Sequence, residues 1–116
     1  MAFFGPTQED IEVVRGDSPV IPLSVTSGGA PVDITGGTFE LAVDTQAKPV
    51  DNSTSLFIVS GVIVSGPAGT VTFQPSSAEL NLEPKTYYYD IQMLLNGSKR
   101  TLLKGKFIVQ QDINKN

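Results

Sequence analysis

Residues 86–110, TYYYDIQMLLNGSKRTLLKGKFIVQ, decide the fold class. Asn96-Gly97 is a dipeptide that readily supplies two successive residues of positive φ, which a tight two-residue hairpin requires, so the stretch reads as two antiparallel strands joined there. On the first strand Tyr89, Ile91, Met93 and Leu95 alternate with Asp90, Gln92 and Leu94, and a period of two puts an unbroken apolar row on one face. Such a face needs a second layer to cover it. The second strand has Leu103, Phe107 and Val109 on one parity and Leu102 and Ile108 on the other. Gly105 between them marks a strand that lies centrally or bends at that point.

Outward from the hairpin the chain continues in short extended pieces. Residues 12–14 read as a strand and 15–19 as a turn. Ile21, Leu23 and Val25 alternate with Pro22, Ser24 and Thr26 as a second strand, which Pro19 and Pro22 place at a sheet edge. Residues 27–30 turn, and Phe39, Leu41 and Val43 then alternate with Thr38, Glu40 and Ala42. Residues 44–54 are polar, contain Pro49 and are expected to form the longest surface loop. Short strands follow at 56–59, 62–64 and 70–74. Ser76 and Glu79 stand at capping-box spacing, which predicts one helical turn carrying the chain from one sheet to the other. Leu80, Leu82 and Pro84 ahead of Tyr87 and Tyr89 resemble a corner in which a tyrosine hydroxyl bonds back to the turn before its strand. The expected fold is all-β, an immunoglobulin-like antiparallel β-sandwich of about seven or eight strands with one short helical turn. Its expected bounds are an N-terminal arm over 1–10, the sandwich over 11–112 and a C-terminal tail over 113–116.

Composition narrows the function classes. A chain of 116 residues holds one core without staples. It has no Cys and no His, which excludes a disulfide framework, a thiolate zinc site and a cysteine nucleophile, and removes the commonest general base. The net charge of −4 argues against a nucleic-acid binder. The charge is uneven: up to Asp51 eight acidic residues face only Arg15 and Lys48, whereas residues 99–106 hold four basic residues and no acid. No run approaches the roughly 20 apolar residues of a membrane span, and Met1-Ala2-Phe3-Phe4-Gly5-Pro6 lacks the form of a signal peptide. The expectation is a protein made in a cytosol, and no membrane partner.

Short motifs need weighing against plain structural explanations. Arg15-Gly16-Asp17 spells an integrin-binding tripeptide, but Gly16 also suits a turn in which Asp17 bonds to nearby amides. Asn52-Ser53-Thr54 and Asn96-Gly97-Ser98 fit the glycosylation sequon, and Asn96 is already explained by the turn. The carboxylate pairs Glu79 with Glu83 and Asp44 with Asp51 read as solvated surface, not as acid and base. Gly28-Gly29 and Gly36-Gly37 lack what a phosphate cradle needs, and no calcium-loop pattern occurs. No residue is assigned a catalytic, cofactor or metal role. Lys99, Arg100, Lys104 and Lys106 form the one charge cluster with a geometry. Strand parity puts the three even-numbered members on one face and Lys99 on the other, either guarding an edge strand or meeting an acidic partner. Phe3, Phe4 and Pro6 precede any strand and are expected to anchor in a neighbouring subunit. Tyr87 or Tyr88, if exposed, would stack on sugar rings, which keeps a carbohydrate-binding module as the alternative.

The order Val13-x-Arg15-Gly16-Asp17-Ser18-x-x-Ile21, Gly29-x-Pro31-Val32-Asp33-Ile34-x-Gly36, Gly69-x-Val71-x-Phe73, Leu82-x-Pro84-x-x-Tyr87-x-Tyr89-Asp90-Ile91-Gln92 and Thr101-Leu102-x-x-Gly105-x-Phe107-x-Val109-x-x-Asp112 resembles small immunoglobulin-like proteins and domains of tailed bacteriophages. The nearest named relative is the N-terminal domain of upper baseplate proteins, with similar modules in tail, fibre and head-decoration proteins. The resemblance covers nearly the whole chain from Ile11 to Asp112. It implies a virion structural protein, made in the host cytoplasm, that contacts capsid, tail or baseplate proteins and is homo-oligomeric in the particle. This sequence stops where a baseplate protein would continue into a coiled coil or receptor-binding portion. That suits a capsid decoration or cement protein, or a small tail or neck accessory.

Overall fold

A computed structural model describes residues 7–47, 49 and 54–113 of this chain. Its strands in chain order are β1 (Thr7–Gln8), β2 (Ile11–Val14), β3 (Ile21–Ser24), β4 (Thr26–Ser27), β5 (Ala30–Pro31), β6 (Thr38–Asp44), β7 (Ser55–Ser60), β8 (Val62–Ser65), β9 (Thr70–Phe73), β10 (Thr86–Leu95) and β11 (Ser98–Gln110). The hairpin forms as the sequence predicts. Leu95 pairs with Ser98 across Asn96 and Gly97, whose φ angles are 52° and 79°.

The strands make a six-stranded sheet in the order β1-β11-β10-β6-β7, with β2 also on β11, a three-stranded sheet β3-β9-β8, and the small ribbon β4-β5. Side chains from both larger sheets join one apolar cluster, in which Phe39, Leu41, Val43, Ile91, Met93 and Phe107 meet Val71 and Phe73. The ring of Phe107 packs edge-on against Tyr89 at 6.3 Å and against Phe57 at 6.2 Å. Phe57 comes from β7 at the far edge of the same sheet, so the twist of the sheet wraps it around these rings. Among the described residues no polar or charged side chain is fully buried. β3 lies at an edge, as Pro22 within it favours.

Gly61 turns the chain from one sheet to the other. Residues on its two sides belong to different sheets, β7 pairing with β6 and β8 with β9. Its amide donates to the Phe39 carbonyl at 2.8 Å, and a Cβ there would stand 2.8 Å from the Phe73 ring. Only a residue without a side chain fits so close to the core.

The structure departs from the sequence expectations at several points. The arm expected over 1–10 joins the sheet from Thr7, which pairs in parallel with Leu103. The Glu9 amide donates to the Lys104 carbonyl at 2.9 Å, and the Lys106 amide donates to Asp10 Oδ1 at 3.1 Å. β2 is also parallel to β11, from Ile11 opposite Phe107 to Val14 opposite Gln110, so the larger sheet is mixed and not purely antiparallel. β11 is therefore central along much of its length. Gly105 is where its outer neighbour changes from β1 to β2, and a Cβ there would collide with the Glu9 carbonyl. The irregularity lies elsewhere: Ile91 pairs with Leu103 but Gln92 with Thr101, leaving Leu102 as a bulge.

The crossing at 75–80 is a hydrogen-bonded turn and not a helix. Both capping-box bonds form within it, Glu79 N–H to Ser76 Oγ at 3.1 Å and Ser76 N–H to Glu79 Oε1 at 2.9 Å. The interval 74–85 around it holds no strand, while residues 48 and 50–53 of the loop expected over 44–54 lie outside the described residues.

Candidate functional site

The outer face of the larger sheet carries a cleft of about 320 Å³. Strand parity builds it. Tyr87, Tyr89, Ile91 and Met93 of β10 are buried, so Tyr88, Asp90 and Gln92 point outward. On β6 Phe39, Leu41 and Val43 are buried, which turns Glu40, Ala42 and Asp44 to the same outer face. Register then sets rows across the strands. Tyr88 lies between Asp44 and Lys106, Asp90 between Ala42 and Lys104, and Gln92 between Glu40 and Thr101. Ala42 also pairs with Ile58, so the smallest residue of the face has an apolar wall on its β7 side.

The bulge at Leu102 reassigns the basic cluster. Beyond it Lys99 pairs with Leu94 and Arg100 with Met93, so Lys99 shares the outer face with Lys104 and Lys106, and Arg100 takes the opposite parity. The sequence expectation had these two exchanged, because simple alternation cannot register an inserted residue. Lys99 and Lys104 line the cleft. Lys104 pairs with Asp90 on one side and Gln8 on the other, and the Lys106 amide, opposite Tyr88, bonds to Asp10, so neither guards an open edge.

Burial pushes the Asp90 carboxyl above the usual carboxylate range, against the opposing pull of Gln92, Lys99 and Lys104. Asp44 Oδ1 accepts from the Gln46 amide at 2.9 Å and from Thr54 Oγ1 at 2.6 Å, which holds the start of the following loop. Burial, with Glu9 and Asp10 nearby, raises the Tyr89 phenol, whose hydroxyl donates to the Glu9 carbonyl at 2.6 Å.

The tyrosines divide. Tyr87 does not face solvent and is not available to stack on sugar. The residue is 3% exposed, its hydroxyl donates to the Glu83 carbonyl at 2.7 Å, and Lys85 Nζ stands 5.3 Å from the ring centroid. Its parity with Tyr89, Ile91 and Met93 was the signal that placed it inside. Tyr88 is half-buried on the cleft side.

Arg15-Gly16-Asp17 is built into a turn. Arg15 Nε donates to Asn81 Oδ1 at 3.2 Å, the Gly16 amide to the Leu80 carbonyl at 2.9 Å and the Asp17 amide to the Val14 carbonyl at 3.1 Å. Phe3, Phe4, Pro6 and Asn52-Ser53 lie outside the described residues. No group of three or more His, Cys, Asp or Glu among the described residues could hold a metal ion.

Sequence reasoning missed the apolar edge of the molecule. Among the described residues β7 ends the larger sheet and β8 ends the smaller one. Their outward residues Ile58, Val62 and Val64 are 48%, 67% and 65% exposed, and Leu56 is exposed beside them. In sequence LFIVSGVIV looks like core, because a continuous apolar run does not say which face is covered.

No protein-family model matches the chain, and no curated protein matches it.

Proposed function

We propose that this chain is a non-enzymatic structural protein of a tailed-bacteriophage virion, an immunoglobulin-like β-sandwich that acts by protein–protein contact on a symmetric assembly. Its place is that of a capsid decoration or cement protein, or of a tail, baseplate or neck accessory. Two sheets meeting on one core and the Tyr87 hydroxyl bonded back to Glu83 support the sandwich reading. The sequence resemblance supports the virion. A chain with no Cys and no His supports the non-enzymatic part.

The observation that carries the contact role is the edge formed by β7 and β8. Residues 55–65 contain no charged residue and no proline, so this edge lacks two of the devices by which sheets discourage unwanted pairing. β3, by contrast, has Pro22. Leu56 and Ile58 add exposed apolar side chains beside the edge backbone of β7, and Val62 and Val64 add them on β8 at the edge of the smaller sheet. The fitting occupant is a strand of a neighbouring subunit, which pairs with the β7 amide and carbonyl groups that have no partner strand among the described residues and lies beside Leu56 and Ile58. The aromatic arm with Phe3, Phe4 and Pro6, and the basic residues Lys99, Arg100, Lys104 and Lys106, are the secondary contacts of this proposal.

Substituting Ile58→Lys together with Val62→Lys tests it. Both sites are exposed, so the variant folds and melts within a few degrees of wild type, as surface changes generally do. It fails to enter particles. Normal incorporation of a folded double variant would remove the edge from the account. Truncation of residues 1–6, which leaves β1 in place, separates the arm's contribution from that of the edge.

A further inference from the structure

The outer face of the larger sheet has a second feature, a cleft whose lining overlaps the β7 edge at Ser55 and Ile58 but centres on β10 and β6. We infer that the cleft around Tyr88 and Asp90 is a binding site for an uncharged saccharide. Its size, about 320 Å³, lies at the lower end of small-molecule pockets, which run from roughly 300 to 1,000 Å³. A ligand of about one or two rings fits that volume.

The ligand class follows from how donors and acceptors are mixed. The lining holds carboxylates at Glu40, Asp44 and Asp90, an amide at Gln92 and ammonium groups at Lys99 and Lys104. An anion would be repelled by the first set and a cation by the last. A sugar hydroxyl both donates and accepts, so an array of hydroxyls can use both signs at once. Asp44 is already engaged with Gln46 and Thr54, whereas Asp90 and Gln92 on β10 bond to each other and form a linked central polar pair.

The apolar elements are placed to complement them. Ala42, beside Asp90 in the register, leaves a hollow in the face, and Ile58 stands on its far side. Tyr88 precedes Asp90 by one outward position on the same strand, so its ring flanks the hollow. Aromatic rings of this kind offer the apolar surface on which the C–H face of a sugar ring stacks. The half-buried Asp90 carboxylate sits among neighbours that do not fully offset its burial. Desolvated in advance, it binds a hydroxyl without first shedding a full water shell.

The experiment is a glycan array carrying three sets of oligosaccharides: neutral hexoses and N-acetylhexosamines, uronic acids, and free amino sugars. The wild-type chain, Tyr88→Ala and Tyr88→Trp are compared, each first shown to be folded by its melting curve. The expected result is binding within the neutral set, weakened about tenfold in Tyr88→Ala and retained in Tyr88→Trp, the size of one lost aromatic contact. Binding to the acidic or the amino set alone would overturn the inference. So would neutral binding indifferent to Tyr88→Ala, or no binding in any set, which would make the cleft an ordinary solvated sheet face.

Discussion

Gly105→Ala is the change that most directly probes how the N-terminus is tied into the sheet. A Cβ at this position collides with the Glu9 carbonyl and stands 2.8 Å from the Glu9 carbonyl carbon. The obstacle is backbone and cannot rotate away, so the segment from Thr7 to Asp10 has to leave β11. Three hydrogen bonds go with it: Glu9 N–H to the Lys104 carbonyl at 2.9 Å, Lys106 N–H to Asp10 Oδ1 at 3.1 Å, and Tyr89 O–H to the Glu9 carbonyl at 2.6 Å. At about 1 kcal/mol net for each, the loss is about 3 kcal/mol, and more if the partly buried Tyr89 hydroxyl finds no water. For a domain of this size that lowers the melting temperature by roughly 12 °C. Denaturant unfolding followed by circular dichroism measures it. A double-mutant cycle sharpens the result: Tyr89→Phe alone costs about 1 kcal/mol and costs almost nothing more in the Gly105→Ala background, since its partner has already gone. A Gly105→Ala variant as stable as wild type, or two strictly additive substitutions, would refute the placement of Glu9 against Gly105.

Two further outcomes follow from particular residues. Gly97→Val destabilises the domain by about 1 kcal/mol or more, because a β-branched residue fits poorly at its φ of 79°, and an unchanged melting temperature would contradict the hairpin. Burial raises the folded-state carboxyl of Asp90, so just above the ordinary carboxylate range the folded chain holds more proton than the unfolded one, and this residue's contribution to stability falls as pH rises through that window. Asp90→Asn removes the burden, so its melting temperature exceeds that of wild type at pH 7 and the difference shrinks on acidification toward pH 4; a difference that grows on acidification would reverse the assignment.

What was legible in the sequence was what local chemistry determines. Asn96-Gly97 admits few turn types, so it set the hairpin and, through Leu95 opposite Ser98, the register at its tip. The alternation from Tyr89 to Met93 identified the buried face of β10, and the spacing of Ser76 and Glu79 identified a capping box that forms even though the turn does not lengthen into a helix. What was illegible depends on distant partners. Nothing near Thr7 or Ile11 announces that both pair in parallel with β11, because parallel pairing has no turn to mark it. The bulge at Leu102 has no special residue type either, yet it exchanges the faces of Lys99 and Arg100 and so decides which cations line the cleft. Exposure of Ile58, Val62 and Val64 escapes a sequence reading for a related reason: apolar runs record the tendency to be covered, not what does the covering.

The attachment proposed for this chain, to a symmetric virion assembly, runs along the edge that β7 and β8 form. Electron cryomicroscopy of the intact particles made in the cells that express this chain tests it most directly. The expected result is repeated, symmetry-related density for the domain, with the strand from Ser55 to Ser60 paired to a strand of a neighbouring subunit and Leu56 and Ile58 covered. Particles that lack the chain, or that hold it with this edge facing solvent, would contradict it.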